Sequence, residues 1–300
     1  MINYKIIKHR KFWLSLSAVI VITSIFAMFN WGLKAGIDFT GGSLLEVKFA
    51  GGQPSVSDIQ SSLSEVSVSS LIVQPTGNDT VILRFQETSQ EKHSEIIEAL
   101  SKHEMAKDGL TEIRFESIGT SIGAELRSKS FWVVFLVLLM IILYVAIAFN
   151  KVSKPVASWK YGLIAIIALF HDVIVTMGVF SFLGYFIGTE VNTPFIVAIL
   201  TVLAYSVNDT IIVFDRVREN LPKSKGTFEE TVNDSLNQTF VRSINTTLTV
   251  LLALLAVLLL GGSSIRDFAL ALMIGIFAGA YSSIFVASPL LVYFRKWQNK

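Results

Sequence analysis

Hydrophobic positions in this chain gather into six long runs, about 12–31, 130–149, 161–187, 194–214, 244–260 and 268–293. Each approaches the ~20 residues that an α-helix needs to cross a hydrocarbon core about 30 Å thick. The pattern predicts six transmembrane helices. The fifth run is the weakest, being short and opening on Ser, Asn and Thr.

Between the first and second runs the rhythm changes. Leu44–Phe49, Ser67–Gln74, Thr80–Gln86 and Thr111–Glu116 read as strands, with Pro75-Thr76-Gly77-Asn78-Asp79 as a turn. Ser55–Val66 carries Val56, Ile59, Leu63 and Val66 at helical spacing, and Ser89–His103 carries Ile96, Ile97 and Leu100. The order β-α-β-β-α-β predicts a ferredoxin-like α+β domain. Roughly 80–90 residues suffice for one small core. The expected organisation is an α-helical polytopic membrane protein: 1–31 as N-terminus and first helix, 32–129 as an external domain, and 130–300 as a five-helix bundle.

Composition agrees, with 52% hydrophobic and 16% charged residues. Net charge is +2 and decides nothing, but its distribution does. Lys5, Lys8, Arg10 and Lys11 precede the first run. Lys151, Lys154 and Lys160 follow the second, Arg216, Arg218, Lys223, Lys225 and Arg242 follow the fourth, and Arg295, Lys296 and Lys300 close the chain. The 188–193 loop has no basic residue, and the 261–267 loop has only Arg266. The positive-inside rule then puts both termini in the cytoplasm and 31–129 outside. Run 12–31 is longer than a signal-peptide core and lacks an A-x-A-like site before Trp31-Gly32, so it reads as an anchor. Absence of cysteine excludes a disulfide scaffold, a thiolate metal site and a thiol nucleophile.

Candidate chemistry centres on Thr193–Arg218, TPFIVAILTVLAYSVNDTIIVFDRVR. An ionisable residue inside a membrane helix costs roughly 2.5–3.5 kcal/mol on insertion scales, which makes Asp209 a functional candidate. It lies about fifteen residues in, roughly 9 Å above the cytoplasmic end of the run. Thr201, Tyr205, Ser206, Asn208 and Asp209 form a polar stripe that suits a water path or interhelical hydrogen bonds. Arg242, at the mouth of the fifth run, is a candidate partner, with an expected depth difference of roughly 8–10 Å. His171-Asp172 falls near the middle of the third run, as a packed polar pair or as part of proton passage or gating. Thr227–Val241, with Phe228, Val232, Leu236 and Phe240 on one face, is expected as a surface helix docked on the bundle or headgroups. Gly275 and Gly279 form G-x-x-x-G, which allows close helix packing within the chain or with a partner.

The glycines of Gly36-Ile37-Asp38-Phe39-Thr40-Gly41-Gly42 do not follow a phosphate-cradle spacing and lack its lysine, so they read as a tight turn. Ser117–Lys129 reads as a coupling segment that starts the second helix. No H-E-x-x-H is present and His171 has no obvious nucleophile partner, which argues against an intramembrane hydrolase. An exporter of small molecules or lipids would need external domains large enough to form a duct, and one 90-residue domain is small for that.

Four motifs, GIDFTGGSLLEV, SIGTSIGAEL, AYSVNDTIIVFDRVREN and GAYSSIFVASPL, together resemble the SecF branch of the SecD/SecF family, membrane subunits that accompany the bacterial Sec translocase. The resemblance covers essentially the whole chain. It implies a half-unit of the RND type in the cytoplasmic membrane of a bacterium, not an enzyme, with no cofactor beyond a transported proton or sodium ion. It also implies a hetero-complex with a SecD-like subunit, work beside the Sec channel on a translocating preprotein, contact with membrane lipid, and no nucleic-acid partner. By position, Asp209 with Asn208 and Thr210 would carry the ion, Arg242 would be its partner, and His171-Asp172 matches a further polar pair.

Overall fold

The computed structural model describes residues 4–66, 68–148 and 158–298; Lys151 and Lys154 of the basic loop lie outside them. The chain divides into two compact units, Met1–Lys34 with Trp132–Lys300, and Ala35–Phe131. Helix α1 (Arg10–Trp31) opens the first. The second contains a helical turn α2 (Ile37–Thr40), then β1 (Gly42–Phe49), α3 (Val56–Ser62), β2 (Ile72–Thr76), β3 (Thr80–Phe85), α4 (Gln90–Ser101) and β4 (Leu110–Ile118). It ends in the first turns of α5 (Thr120–Ala148).

The four strands form one antiparallel sheet in the order β2-β3-β1-β4. With its β-α-β-β-α-β connectivity, this is the ferredoxin-like arrangement. Alternate residues of a strand share a face, so Leu45, Val47 and Phe49 of β1 and Val81, Leu83 and Phe85 of β3 bury together. Ile59 and Leu63 from the α3 side and Ile96 and Leu100 of α4 cover them. The second strand differs from expectation. Ser70 has a positive φ of 58°, and pairing begins only at Ile72. It runs through Pro75, opposite Val81, so the turn shrinks to Gly77–Asp79. Proline is tolerated because β2 is an edge strand, where a missing N–H breaks no ladder bond.

The paired glycines are needed for close approach as well as for a turn. Gly41 (φ +73°) would place a Cβ 2.7 Å from the Cα of Thr120, and a Cβ at Gly123 would stand 2.8 Å from the nitrogen of Gly41. GIDFTGG and SIGTSIGAEL therefore pack backbone on backbone, and the segment read as a link belongs to the fold of this unit.

The helical unit adds the remainder of α5, α6 (Ser158–Ile187), α7 (Thr193–Asn220), α8 (Phe228–Leu260) and α9 (Ser263–Ser282). A π-helical turn (Ser283–Ala287) and α10 (Ser288–Gln298) complete it. Among the described residues, six helical segments are long and apolar enough to cross a membrane: Ile7–Trp31, Thr120–Ala148, Trp159–Ile187, Thr193–Asn220, Phe228–Leu260 and Ile265–Lys296. Helix α7 is the centre, packed against α6, α8 and α9. Its start is fixed by Asn192, whose side chain accepts from the Phe195 amide at 3.0 Å.

Gly275 and Gly279 of α9 face α7: a Cβ at Gly275 would stand 2.2 Å from Val202 Cγ2, and one at Gly279 would stand 3.0 Å from Ser206 Cβ. This G-x-x-x-G is used within the chain.

Residues 228–241 are not a separate surface helix but the first half of α8. No glycine or proline interrupts Phe228–Leu260. The Ser-Asn-Thr run is helix-compatible because its hydroxyls bond back along the helix, Thr246 Oγ1 donating to the carbonyls of Arg242 and Ser243 at 3.0 Å each. A capping box of Thr227 and Glu230 starts α8. Glu229 then joins three segments, meeting Arg10 at 2.8 Å and Lys296 at 2.6 Å. Past Thr247 the helix exposes Leu248, Leu252, Leu255, Leu259 and Leu260, and α5 exposes most of its apolar length.

Candidate functional site

Asp209 and Asp172 are both buried, on neighbouring helices α7 and α6. The Asp209 carboxylate receives the Ser243 hydroxyl, 2.8 Å from Oδ1 and 2.7 Å from Oδ2. Next to Ser243, Arg242 is exposed and lines a cavity of about 320 Å³ with Asp209, Tyr205, Asn208, Ile212 and Thr246. Among the described residues Arg242 makes no ion pair. Asp209 and Arg242 thus line one space without forming an ion pair.

The expected depth difference between them disappears, for a structural reason. Helix α7 continues to Asn220 and α8 starts at Phe228. Asp209 therefore sits about 17 Å from the end of its helix and Arg242 about 21 Å from the start of the next, counting 1.5 Å per residue. The antiparallel pair meets at one level.

The polar stripe divides between two faces. Ser206, Asp209 and Thr210 are buried, whereas Thr201 and Asn208 are exposed. Thr201 only bonds back to Val197. Thr210 Oγ1 lies 2.9 Å from Ser283 Oγ, and Ser283 also stands beside the Asp209 carboxylate.

Asp172 has no exposure and a complete set of donors. Ser282 Oγ donates to its Oδ2 at 2.9 Å, Ser206 Oγ makes a short bond to the same oxygen, and His171 Nδ1 is 2.9 Å from Oδ1. Adjacent residues point about 100° apart on a helix, yet the His171 ring folds back onto its neighbour. It stacks on Tyr281, whose hydroxyl meets Ser17 Oγ at 3.0 Å. His171 Nε2 is buried without a hydrogen-bond partner.

Each carboxylate is satisfied by serines that hydropathy does not single out: Ser243 for Asp209, and Ser206 and Ser282 for Asp172. A hydroxyl costs little in a membrane helix, so a serine carries no signal comparable to a buried carboxylate. The clue available in the sequence is the Ser282-Ser283 pair shortly before Pro289. Among the described residues there is no cluster suited to a metal ion. The site is an array of carboxyl, hydroxyl and imidazole groups shared by α6, α7, α8 and α9, open beside Asp209. Such an array can hold and release a proton or a small cation inside a membrane.

A multi-helix membrane bundle with buried carboxylates and one small α+β unit defines a transporter-like subunit. The profile described as protein export membrane protein SecD/SecF, C-terminal, matches residues 97–297, and that of the SecD/SecF GG motif matches 26–52. The translocase subunit SecF of Thermobaculum terrenum is 40% identical over 98% of this chain and 94% of its own length. That of Sebaldella termitidis is 39% identical over 99% and 94%. The crystal structure of SecDF, a translocon-associated membrane protein from Thermus thermophilus, superposes with a TM-score of 0.83 at 32% identity over the whole chain. This chain spans 39% of the length of that SecDF chain. The chain belongs to the SecD/SecF family of protein-export membrane proteins, as a SecF-type, non-enzymatic subunit.

Proposed function

We propose that this subunit couples the movement of a proton or sodium ion past Asp209 to a late stage of protein export. The observation that carries the reading is one buried carboxylate opening on a cavity that an unpaired arginine also lines. Asp209 holds Ser243, and Arg242 waits across about 320 Å³ of space. Approach of the guanidinium favours the charged carboxylate, and its withdrawal favours the neutral one. The two arrangements differ in whether an ion is held. One charge crossing 100 mV supplies about 2.3 kcal/mol, enough to bias a two-state bundle.

Asn208 and Tyr205 line the approach, and Thr210 ties Asp209's turn to Ser283. His171-Asp172 is a second buried pair feeding the same serine array. Both termini lie in the cytoplasm and the α+β unit outside, as the distribution of Lys and Arg requires. A SecD-like subunit completes the bundle: α5 and the second half of α8 carry large exposed apolar side chains, and the SecDF relative has a chain more than twice as long. The Sec channel, a translocating preprotein and lipid are the other expected contacts.

The deciding experiment uses vesicles of the bacterial membrane containing the whole complex and measures gradient-driven release of a translocating preprotein. Asp209→Asn keeps shape and hydrogen bonding but cannot hold a proton, and is expected to abolish that step with normal insertion and assembly. Asp209→Glu retains partial activity, and Arg242→Lys is impaired but active, since it keeps charge without the planar fork. A purely structural carboxylate predicts the reverse order, with Asn tolerated and Glu disruptive. An abundant Asp209→Asn protein at wild-type rate would sink the reading.

A further inference from the structure

Helix α9 does not pass into α10 as an unbroken α-helix. Pro289 has no N–H and its ring crowds the carbonyl of Phe285, four residues earlier. The turn Ser283–Ala287 is π-helical, holding one residue more than an α-turn, and the Ser288 hydroxyl donates to the Ser283 carbonyl at 3.0 Å. Where α becomes π, two adjacent and fully buried hydroxyls serve two different helices. Ser282 donates to Asp172 on α6, while Ser283 meets Thr210 on α7 and stands beside Asp209. Ser206 of α7 closes the circuit by bonding to Asp172.

We propose that the π-turn, through Ser282 and Ser283, is the positioning element that couples the Asp209 site to the Asp172–His171 pair. This rests on Asp209 as ion carrier and deepens it by naming the part that transmits its change of state. A π-turn accommodates a shift of register that a regular helix resists. Moving the extra residue by one position turns the neighbouring side chains by about 100°. A change at Asp209 that pulls on the Thr210–Ser283 contact therefore reaches the Ser282–Asp172 bond directly, because the two serines are consecutive. Asp172, which has no solvent exposure, registers the loss of a donor strongly.

The test uses the same vesicles at matched amounts of assembled complex. Ser282→Ala and Ser283→Ala are each expected to slow gradient-driven release at least about tenfold. Ser283→Thr keeps the hydroxyl and restores the rate, which a role in packing alone does not predict. Pro289→Ala combined with Ser288→Ala favours a regular helix and reproduces the loss without touching either serine, which covers the case of an alanine variant that does not accumulate. Wild-type rates in the alanine variants, or Ser283→Thr no better than Ser283→Ala, overturn the coupling role. If Asp209→Asn blocks release in that same experiment, the ion-carrier reading still stands. A wild-type rate in Asp209→Asn overturns both.

Discussion

Replacing Gly275 with alanine tests whether its helix face is spent inside this chain. The added methyl would sit 2.2 Å from Val202 Cγ2, 2.8 Å from Cγ1 and 3.0 Å from Cβ, where ordinary contact begins at 3.4 Å. Rotating Val202 does not clear the way, because the obstruction includes its Cβ. Helices α7 and α9 must part by about 1 Å, and overpacking of this kind costs about 1–3 kcal/mol. The separation also pulls Ser282 and Ser206 apart around Asp172, since both helices donate to it. Gly262 is the internal control: it has no neighbour within 4 Å of a built Cβ and no positive φ. Thermal unfolding of the purified subunit in detergent, without any partner, should show Gly275→Ala melting several degrees below both wild type and Gly262→Ala. Equal melting of the two alanine variants, with a defect appearing only on assembly with a second subunit, would refute the assignment and return the glycine face to a partner.

Two further outcomes are expected. The chain contains no cysteine, so single cysteines report topology directly; Ser57→Cys should react with an impermeant maleimide from outside intact cells and Ser224→Cys only after permeabilisation, and inverted labelling would reverse the orientation. Gly41→Ala places its methyl 2.7 Å from the Thr120 backbone at a φ of +73°, so amide exchange should rise sharply in the first turns of α5 while the core around Leu45 and Leu83 stays protected; unchanged protection at Gly123 would show that the backbone contact is dispensable.

The sequence alone determined what local physics controls. Six apolar runs are long enough to span because the bilayer sets that length, and the α+β unit was legible because alternation and helical spacing report burial on one side. Asp209 and Asp172 stood out because a carboxyl group in hydrocarbon is costly enough to need a reason. The tertiary structure decided everything that depends on partners distant in the chain. Ser243 lies 34 residues from Asp209 and Ser282 lies 110 from Asp172, and no periodicity links residues so far apart. The level at which Asp209 meets Arg242 depended on where α7 and α8 end, and both helices run well beyond their apolar runs because polar helical turns need only caps and neighbours to persist. The partner of the Gly275–Gly279 face was also open until packing chose α7. A glycine stripe encodes close approach but not to whom; Val202 and Ser206, brought opposite it by the fold, supply the answer.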